Sequence, residues 1–404
     1  MTRILSMCFL VWCAAVALGG EVRPAPGMDG QVAVDEVDGV GLALFVPASA
    51  TPVRGIIALP ADPEVGTGST SRNRSAWAFD EVARQLGYAR LGANLKNNQR
   101  GGRGTIIRKA MEAGLERMAQ ALGRPELATA PVLFAGISRG GGWSVEGGRG
   151  MGQRTIAIIN VCGGVGEHER GEGSVPLLAL LNGIPDGFRF EERIPTQYDP
   201  ARRAGAAWTL ARQWGVGHDW KNADALVLPY LISIARRRLP VGATIPVALA
   251  ATGGWLGERA GWDGPAPTIT EQSGDAGRVG DAIWLPDRAT AYAWRSFMAT
   301  GAPVAIDGWV GTAPIPARDR RLVVATIGSV VRLGATVAAS VTPRRLTWFA
   351  NDQEIAAASA PPWRAAWSLP DGAFAVHLRC ESADGTVTWS SPATLVGAAP
   401  RSSP

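Results

Sequence analysis

Short apolar runs recur along the first half of the chain. Two alternating segments, Gln31–Glu36 and Gly41–Pro47, flank the turn Val37–Gly39 and predict an opening hairpin. Continuous apolar runs after it predict six buried strands: Gly55–Pro60, Tyr88–Leu95, Val132–Ala135, Thr155–Val161, Pro176–Leu181 and Ala206–Arg212. The pattern therefore indicates eight strands between residues 30 and 215.

Apolar residues at helical spacing fill several gaps between these strands. They predict helices over Ser75–Leu86 and Thr105–Leu122, and a closing helix that Asn222 can cap and Pro240 ends. Strands that alternate with helices are typical of a mostly parallel sheet with helices on both faces. Residues 21–240 are thus expected to form an α/β domain.

The stretch 241–319 is rich in glycine, proline and alanine and carries one predicted helix, Asp287–Met298. We interpret it as an extension packed on the α/β domain, because its tryptophans need a buried environment. The alternative is an exposed face on which sugars stack. The four residues concerned are Trp255, Trp262, Trp284 and Trp294.

From Leu322 onward the apolar positions repeat every second residue, as in Leu346, Trp348 and Ala350, with turn signals such as Asp384-Gly385. Short alternating strands of this kind predict a β-sandwich over 320–398, followed by a disordered tail, 399–404.

The same stretch resembles the immunoglobulin-like domains appended to bacterial secreted enzymes. The resemblance implies a spacer or packing module, and carbohydrate binding is the alternative role. The matching segments are Trp348–Asp352, Ala360–Trp363, Trp367, Asp371–Phe374 and Ala383–Gly385.

The N-terminus has the pattern of a secretory signal peptide. Arg3 precedes the apolar run Ile4–Leu18, which ends in the small residues Gly19 and Gly20. A run of this length is short for a membrane span. We therefore expect a signal peptide over residues 1–20 and a secreted or periplasmic mature protein.

Composition narrows the function. The 404 residues are 46% hydrophobic and 19% charged, which suffices for a large core, and the formal charge is only +5. Basic residues are not interleaved with aromatic ones, which argues against nucleic-acid binding. The three histidines and four cysteines form no metal-ligand pair, and no phosphate-binding loop occurs, so neither metal nor cofactor is expected. Cys162 and Cys380 remain after signal removal; a disulfide between them is an open alternative.

The segment Gly136-Ile137-Ser138-Arg139-Gly140 follows the fifth predicted strand. Gly-x-Ser-x-Gly after a buried strand is the pattern of a nucleophile elbow, in which the serine occupies a sharp strand-to-helix turn. Five residues are weak evidence by themselves. The segment behind Ser138 is glycine-rich, so we expect its helix to be short.

A serine nucleophile needs a base, and the candidates are the three histidines. His377 alternates with core positions and is interpreted as a strand-face residue. His168 lies in the polar loop after the next strand. His218 follows the last strand and precedes the closing helix, which favours it as the base; a structural loop histidine is the alternative.

The acid that orients the base should lie between the serine and the histidine in sequence. Asp186 follows the strand Pro176–Leu181, at the edge where active residues of parallel sheets gather. Its Pro-Asp-Gly context is also a common turn. Glu167 and Glu169, one strand earlier, are the rivals.

Together the elbow, Asp186 and Gly217-His218 resemble a secreted α/β-hydrolase over residues 30–240, and within that superfamily the exported esterases related to feruloyl and acetyl xylan esterases and polyhydroxyalkanoate depolymerases. The resemblance implies a doubly wound eight-stranded sheet and a Ser138–His218–Asp186 triad.

It also implies an oxyanion hole from the backbone N–H groups of Arg139 and Ala61. The loop Leu59–Asp62 stands where a familiar oxyanion signature would be. Trp143 and Trp220 are candidate substrate-lining residues, with the core as their alternative place.

The expected function is hydrolysis of carboxylic esters through an acyl-enzyme. The expected substrate is an acylated polysaccharide or a related plant-derived ester. We expect no membrane span. A serine peptidase of the same fold and a catalytically silent carbohydrate-binding protein are the alternatives.

Overall fold

The computed structural model describes residues 21–25, 28–61, 74–95, 103–164, 175–183, 191–249, 252–272, 282–316 and 321–400. No helix within these ranges is long and apolar enough to cross a membrane. The predicted signal peptide, 1–20, and residues 401–404 of the predicted tail lie outside them.

A nine-stranded mixed sheet organises the first half of the chain. Its order is β1-β2-β3-β5-β4-β6-β7-β8-β9. The pairs from β5 through β9 are parallel, whereas the first three pairs are antiparallel. The strands are β1 (Glu21–Pro24), β2 (Gly30–Val37), β3 (Val40–Pro47), β4 (Gly55–Pro60), β5 (Tyr88–Leu95), β6 (Val132–Ile137), β7 (Thr155–Val161), β8 (Leu177–Asn182) and β9 (Trp208–Gln213).

All eight predicted strands are therefore present in this sheet, and β1 extends it beyond them. The carboxyl ends of β4, β6, β7, β8 and β9 point to one edge because these strands are parallel.

Helices cover both faces of the sheet, and one core cluster of buried residues lies on each. The helices are α1 (Arg74–Leu86), α2 (Arg103–Leu122), α3 (Arg139–Met151), α4 (Asp199–Arg203), α5 (Asp224–Arg238) and α6 (Arg288–Met298).

The expectation of a short helix after Ser138 is wrong, since α3 has 13 residues. Two of its glycines are needed for packing: a Cβ on Gly148 would lie 2.6 Å from Ile158 Cγ1, and one on Gly147 would lie 3.1 Å from Phe134 Cε1. The helix can thus lie close to β6 and β7, and this tertiary contact offsets the low helix propensity of glycine.

The predicted cap of α5 is also wrong. The N-cap position is Ala223, without a side-chain cap hydrogen bond. The Asn222 Oδ1 instead accepts a hydrogen bond from the Arg321 backbone N–H at 2.8 Å. The amide of Asn222 is therefore used to hold the C-terminal part of the chain.

Residues 252–272 and 282–298 contain α6 and a small sheet of β10 (Trp255–Glu258), β11 (Ile269–Glu271) and β12 (Ala282–Leu285). Of these elements, β12 and α6 pack on strand β9. Trp284 and Trp294 are fully buried in the first core cluster, and the Trp294 Nε1–H donates to the Leu210 carbonyl at 2.8 Å. Trp255 and Trp262 are half-buried.

The C-terminal part is all-β, as its period-two pattern predicts. Its two sheets enclose a third core cluster. One sheet contains β13 (Val304–Val310), β14 (Ala313–Pro314), β16 (Val330–Val337) and β19 (Arg364–Ser368). The other contains β15 (Leu322–Thr326), β17 (Pro343–Ala350), β18 (Gln353–Ala358), β20 (Gly372–Ser382), β21 (Val387–Trp389) and β22 (Ala393–Ala398).

These C-terminal sheets do not stand apart from the first domain. Leu322, Ala373, Ala375 and Val396 belong to the same core cluster as the α1–α5 face of the large sheet. The Arg84 guanidinium of α1 also pairs with Asp371 at 2.6 Å.

The two described cysteines, Cys162 and Cys380, form no disulfide and are buried in different core clusters. The disulfide that the sequence left open is therefore not formed.

Candidate functional site

A single residue makes the turn from β6 into α3. Ser138 has φ 56° and ψ −119°. Residues other than glycine rarely adopt this backbone conformation, which costs about 1–3 kcal/mol. Its N–H donates to the Val161 carbonyl at 2.7 Å, and its own carbonyl accepts from the Gly142 N–H at 3.0 Å. Two backbone hydrogen bonds therefore hold the strained conformation from both sides.

The two glycines of the elbow are steric requirements. A Cβ on Gly136 would overlap the Gly140 carbonyl, and a Cβ on Gly140 would overlap the Pro60 carbonyl at the end of β4. The strand–turn–helix predicted from Gly-x-Ser-x-Gly is thus present, with the chain packed as closely as the pattern requires. The catalytic role of Ser138 stays a prediction.

Asn160, in β7, packs against the elbow. It was not predicted from the sequence. Its side chain is buried, and its Oδ1 lies where a Cβ on Gly141 or Gly163 would be. Its Nδ2–H donates to the Gly164 carbonyl at 3.0 Å. Asn160 could have been identified from the sequence as a single amide side chain among the apolar residues of a buried strand.

The first predicted oxyanion donor, Arg139, stays a prediction. Arg139 is the first residue of α3, and the N–H groups of a first helical turn have no acceptor within the helix. Its exposed guanidinium lies 5.3 Å from the centroid of the Trp143 ring.

The second predicted donor is not available. The Ala61 N–H donates to the Ala93 carbonyl at 2.7 Å and so continues the pairing of β4 with β5. Ala61 does lie beside the elbow, 3.3 Å from where a Cβ on Gly140 would be. The assignment of Ala61 as an oxyanion donor is therefore corrected. Asp62, the next residue, lies outside the described ranges.

The exposed His218 lies on a loop that crosses from β9 onto the end of β8. The Gly183 N–H donates to the Val216 carbonyl at 3.2 Å. The Asn182 Nδ2 donates to the Asp219 carbonyl at 3.1 Å and also to the Gly217 carbonyl, on the two sides of the histidine. The loop is therefore anchored to β8, and β8 lies two strand spacings, about 10 Å, from β6.

Gln213 completes the clamp on this loop. Its Nε2 donates to the Asn182 Oδ1 at 3.1 Å, and its Oε1 accepts from the Asn222 N–H at 3.1 Å. Both amide side chains are buried. Sequence reasoning missed them, although each is the polar last residue of an apolar strand.

The predicted acid, Asp186, lies outside the described residues, as do Glu167, His168 and Glu169. The structure therefore brings the elbow and the histidine loop to one edge of the sheet and leaves the acid a prediction.

The two tryptophans predicted to line a substrate pocket are core residues, the alternative that the sequence left open. Trp143 is 6% exposed in the second core cluster, and Trp220 is 8% exposed in the first. The Trp220 Nε1–H donates to Asp224 Oδ1 at 2.8 Å.

His377 is a strand-face residue, as predicted. It is fully buried and stacks on Phe349 with ring centroids 5.6 Å apart. Burial, reinforced by the nearby Arg295 charge, lowers the pKa of His377 to about 3. Among the described residues, no group of three or more His, Cys, Asp or Glu side chains could hold a metal ion.

Comparisons with known proteins give only distant likeness. No family model matches the chain, and no curated protein matches it. Among solved structures, an α/β serine hydrolase without a lid from Xanthomonas campestris is 16% identical over 50% of this chain and 86% of its own, with a TM-score of 0.30.

Two further solved structures are also similar to parts of this chain. Esterase 2 of Thermogutta terrifontis is 15% identical over 48% of this chain and 85% of its own, with a TM-score of 0.32. Fibronectin(III)-like modules of Clostridium thermocellum CbhA are 18% identical over 23% of this chain and 93% of their own, with a TM-score of 0.20. At TM-scores this low, a functional conclusion has to rest on the geometry of this chain.

Proposed function

We propose that the protein is an exported serine hydrolase that cleaves carboxylic esters, with Ser138 as nucleophile. The observation that carries this proposal is the strained conformation of Ser138 between β6 and α3. Strain of this size persists only where the surroundings over-determine it, and such strain clusters at functional sites.

The proposed reaction runs through an acyl-enzyme. The Ser138 Oγ attacks the ester carbonyl carbon while its proton passes to the imidazole of His218. The tetrahedral intermediate then expels the alcohol, which takes that proton. Water repeats the sequence, releasing the acid and restoring the Ser138 hydroxyl. Asp186 is the proposed orienting acid.

The negative charge that develops on the carbonyl oxygen needs donors at the elbow. The Arg139 N–H is one, at the positive end of the α3 dipole. An oxyanion donor is worth about 3 kcal/mol of barrier. Since Ala61 is engaged with Ala93, a second donor would have to come from elsewhere on the β4 loop.

The substrate class we propose is an acylated polysaccharide or a related plant-derived ester. The C-terminal all-β part is proposed to be immunoglobulin-like, and its role is packing against the first domain.

The test is active-site labelling with a fluorophosphonate, read by peptide mass spectrometry, together with a panel of acetyl, feruloyl and peptide substrates. We expect the label on Ser138, ester turnover, and loss of both in Ser138→Ala. Ser49→Ala, an exposed serine in the turn after β3, is the matched control and should behave as wild type. Ester turnover that survives Ser138→Ala would refute the assignment, and turnover of peptides alone would favour a peptidase.

A further inference from the structure

An open groove of about 680 Å³ lies beside the candidate site. One wall is the segment 191–199, which precedes and begins α4. The other wall belongs to the turn after β10 and contains Arg259, Ala260 and Trp262. Two parts of the chain that are far apart in sequence thus form one cleft.

The groove shares a lining residue with a small cavity that reaches the elbow region. This cavity, lined by Gly163, Arg193 and Ile194, lies next to the groove, and Ile194 lines both spaces. Gly163 lies directly beside Ser138, since a Cβ on it would be 3.0 Å from the Ser138 carbonyl oxygen.

On its other side the groove adjoins the histidine loop. The rings of Trp262 and Trp214 meet edge-on with centroids 6.0 Å apart, and Trp214 lies on the same loop as His218. The groove therefore adjoins the histidine loop through Trp262 and approaches the elbow through Ile194 and the cavity that Gly163 lines.

The charges of the groove are paired. Arg259 pairs with Asp199 at 2.9 Å, Arg193 with Glu192 at 3.6 Å, and Arg212 with Glu191. Each of the three carboxylates that line the groove thus has a guanidinium partner, and these paired groups leave the surface rich in hydrogen-bond donors and acceptors. Such a surface suits hydroxyl groups better than a charged ligand, which would have to compete with an existing partner.

Two neighbouring side chains fix the ring of Trp262 in an orientation that allows a ligand to stack on it. The Arg212 guanidinium lies 5.4 Å from its ring centroid, and Trp214 fixes one edge. The half-buried indole still lines the groove, opposite the apolar Ile194 and Pro195. A pyranose ring matches this arrangement, because it has apolar C–H faces and a rim of hydroxyls.

We propose that this groove binds a neutral oligosaccharide, which would be the alcohol part of the ester. The inference rests on the proposed function only in naming that ligand as part of the substrate; binding itself does not require catalysis.

Binding is tested by calorimetry on full-length Ser138→Ala protein, with xylohexaose and cellohexaose as neutral probes and hexagalacturonate as the acidic probe. We expect a neutral probe to bind at least tenfold more tightly than the acidic one. Trp262→Ala should weaken that binding at least tenfold. Trp309→Ala is the matched control, because Trp309 is 52% exposed on the C-terminal sheet β13 and should leave binding unchanged.

A second variant distinguishes loss of the groove from loss of folding. Ala260→Trp fills the groove from an exposed position and should also abolish binding while thermal unfolding stays as in Ser138→Ala. Failure of both neutral probes to bind, or loss of binding in Trp309→Ala but not in the groove variants, would overturn the proposal.

A kinetic arm separates this inference from the proposed function. Trp262→Ala should raise KM at least tenfold for acetylated xylo-oligosaccharides and by a much smaller factor for 4-nitrophenyl acetate, whereas Trp309→Ala should leave the turnover of both esters unchanged. If the wild type hydrolyses neither ester, the proposed function fails, while calorimetry still decides the groove.

Discussion

The Ser138 N–H donates to the Val161 carbonyl at 2.7 Å, so the elbow is tied to the end of the neighbouring strand β7. The next residue, Cys162, also has a positive φ of 53° and donates its N–H to the Leu180 carbonyl of β8 at 2.8 Å. The strained turn therefore continues a line of hydrogen bonds that runs across three strand ends.

Gly140→Ala tests whether close packing maintains the elbow. The new Cβ would overlap the Pro60 carbonyl, which is backbone and has little room to move. We expect a loss of about 1–3 kcal/mol in the free energy of unfolding and at least a hundredfold drop in kcat/KM. Urea unfolding and ester kinetics measure the two.

The matched control is Gly142→Ala in the same helix, where a Cβ meets nothing within 4 Å. It should be neutral or stabilise by about 0.5–1 kcal/mol. Equal behaviour of the two variants would show that packing at the elbow is not the cause.

Asn182→Ala tests the clamp on the histidine loop. The Gly217 and Asp219 carbonyls lose their shared donor, which should cost about 1–3 kcal/mol of stability and let the loop move. We expect kcat/KM to fall at least tenfold in steady-state assays of a soluble ester. Asn351→Ala is the control, because Asn351 Oδ1 holds the Ala375 N–H at 2.9 Å in a distant turn and should cost stability alone. An unaltered kcat/KM in Asn182→Ala would count against the loop as carrier of the base.

His377 makes stability depend on pH. Its pKa is about 3 in the folded protein, whereas an unfolded histidine titrates near 6.5. Between these values the unfolded state binds more protons, so the contribution is complete above about pH 6.5 and is lost as the pH falls toward 3. From pH 6.5 to 5 the loss is about 2 kcal/mol.

The variant His377→Phe should remove this dependence. Urea unfolding at pH 5 and 7 should show a difference smaller by about 2 kcal/mol than in wild type. A difference of the same size in both proteins would mean that other groups cause the pH dependence.

Deletion of residues 321–404 should destabilise the whole protein. It uncovers the part of the first core cluster that Leu322, Ala375 and Val396 complete. We expect loss of cooperative thermal unfolding and of soluble yield. Asp371→Ala, which breaks the partly exposed pair with Arg84 and leaves the core intact, should cost under about 1 kcal/mol. A soluble 21–316 fragment that unfolds cooperatively at the wild-type temperature would contradict the shared core.

The large sheet was predictable because its strands are buried on both faces and read as continuous apolar runs, of which Thr155–Val161 matches the structure residue for residue. The elbow was predictable because its glycines serve local backbone contacts. In each case the residues that produce the signal lie within a few positions of one another in sequence.

The failures concern partners that are distant in sequence. The length of α3 depends on how Gly148 meets Ile158, and the use of the Ala61 N–H depends on pairing with Ala93. Asn222 looked like a helix cap because its partner, the Arg321 N–H, lies 99 residues away. The groove could not be predicted at all, since its two walls meet only in the folded chain.

The sharing of one core between the first domain and the last strand has a consequence for the order of events in synthesis. Val396 of β22 belongs to that core although it comes long after the end of α5 in sequence. A domain usually folds as a unit while the chain emerges. Here the α1–α5 face would stay incomplete until β22 has been made. The residues up to the end of α5 would therefore not form a finished unit ahead of the C-terminal strands.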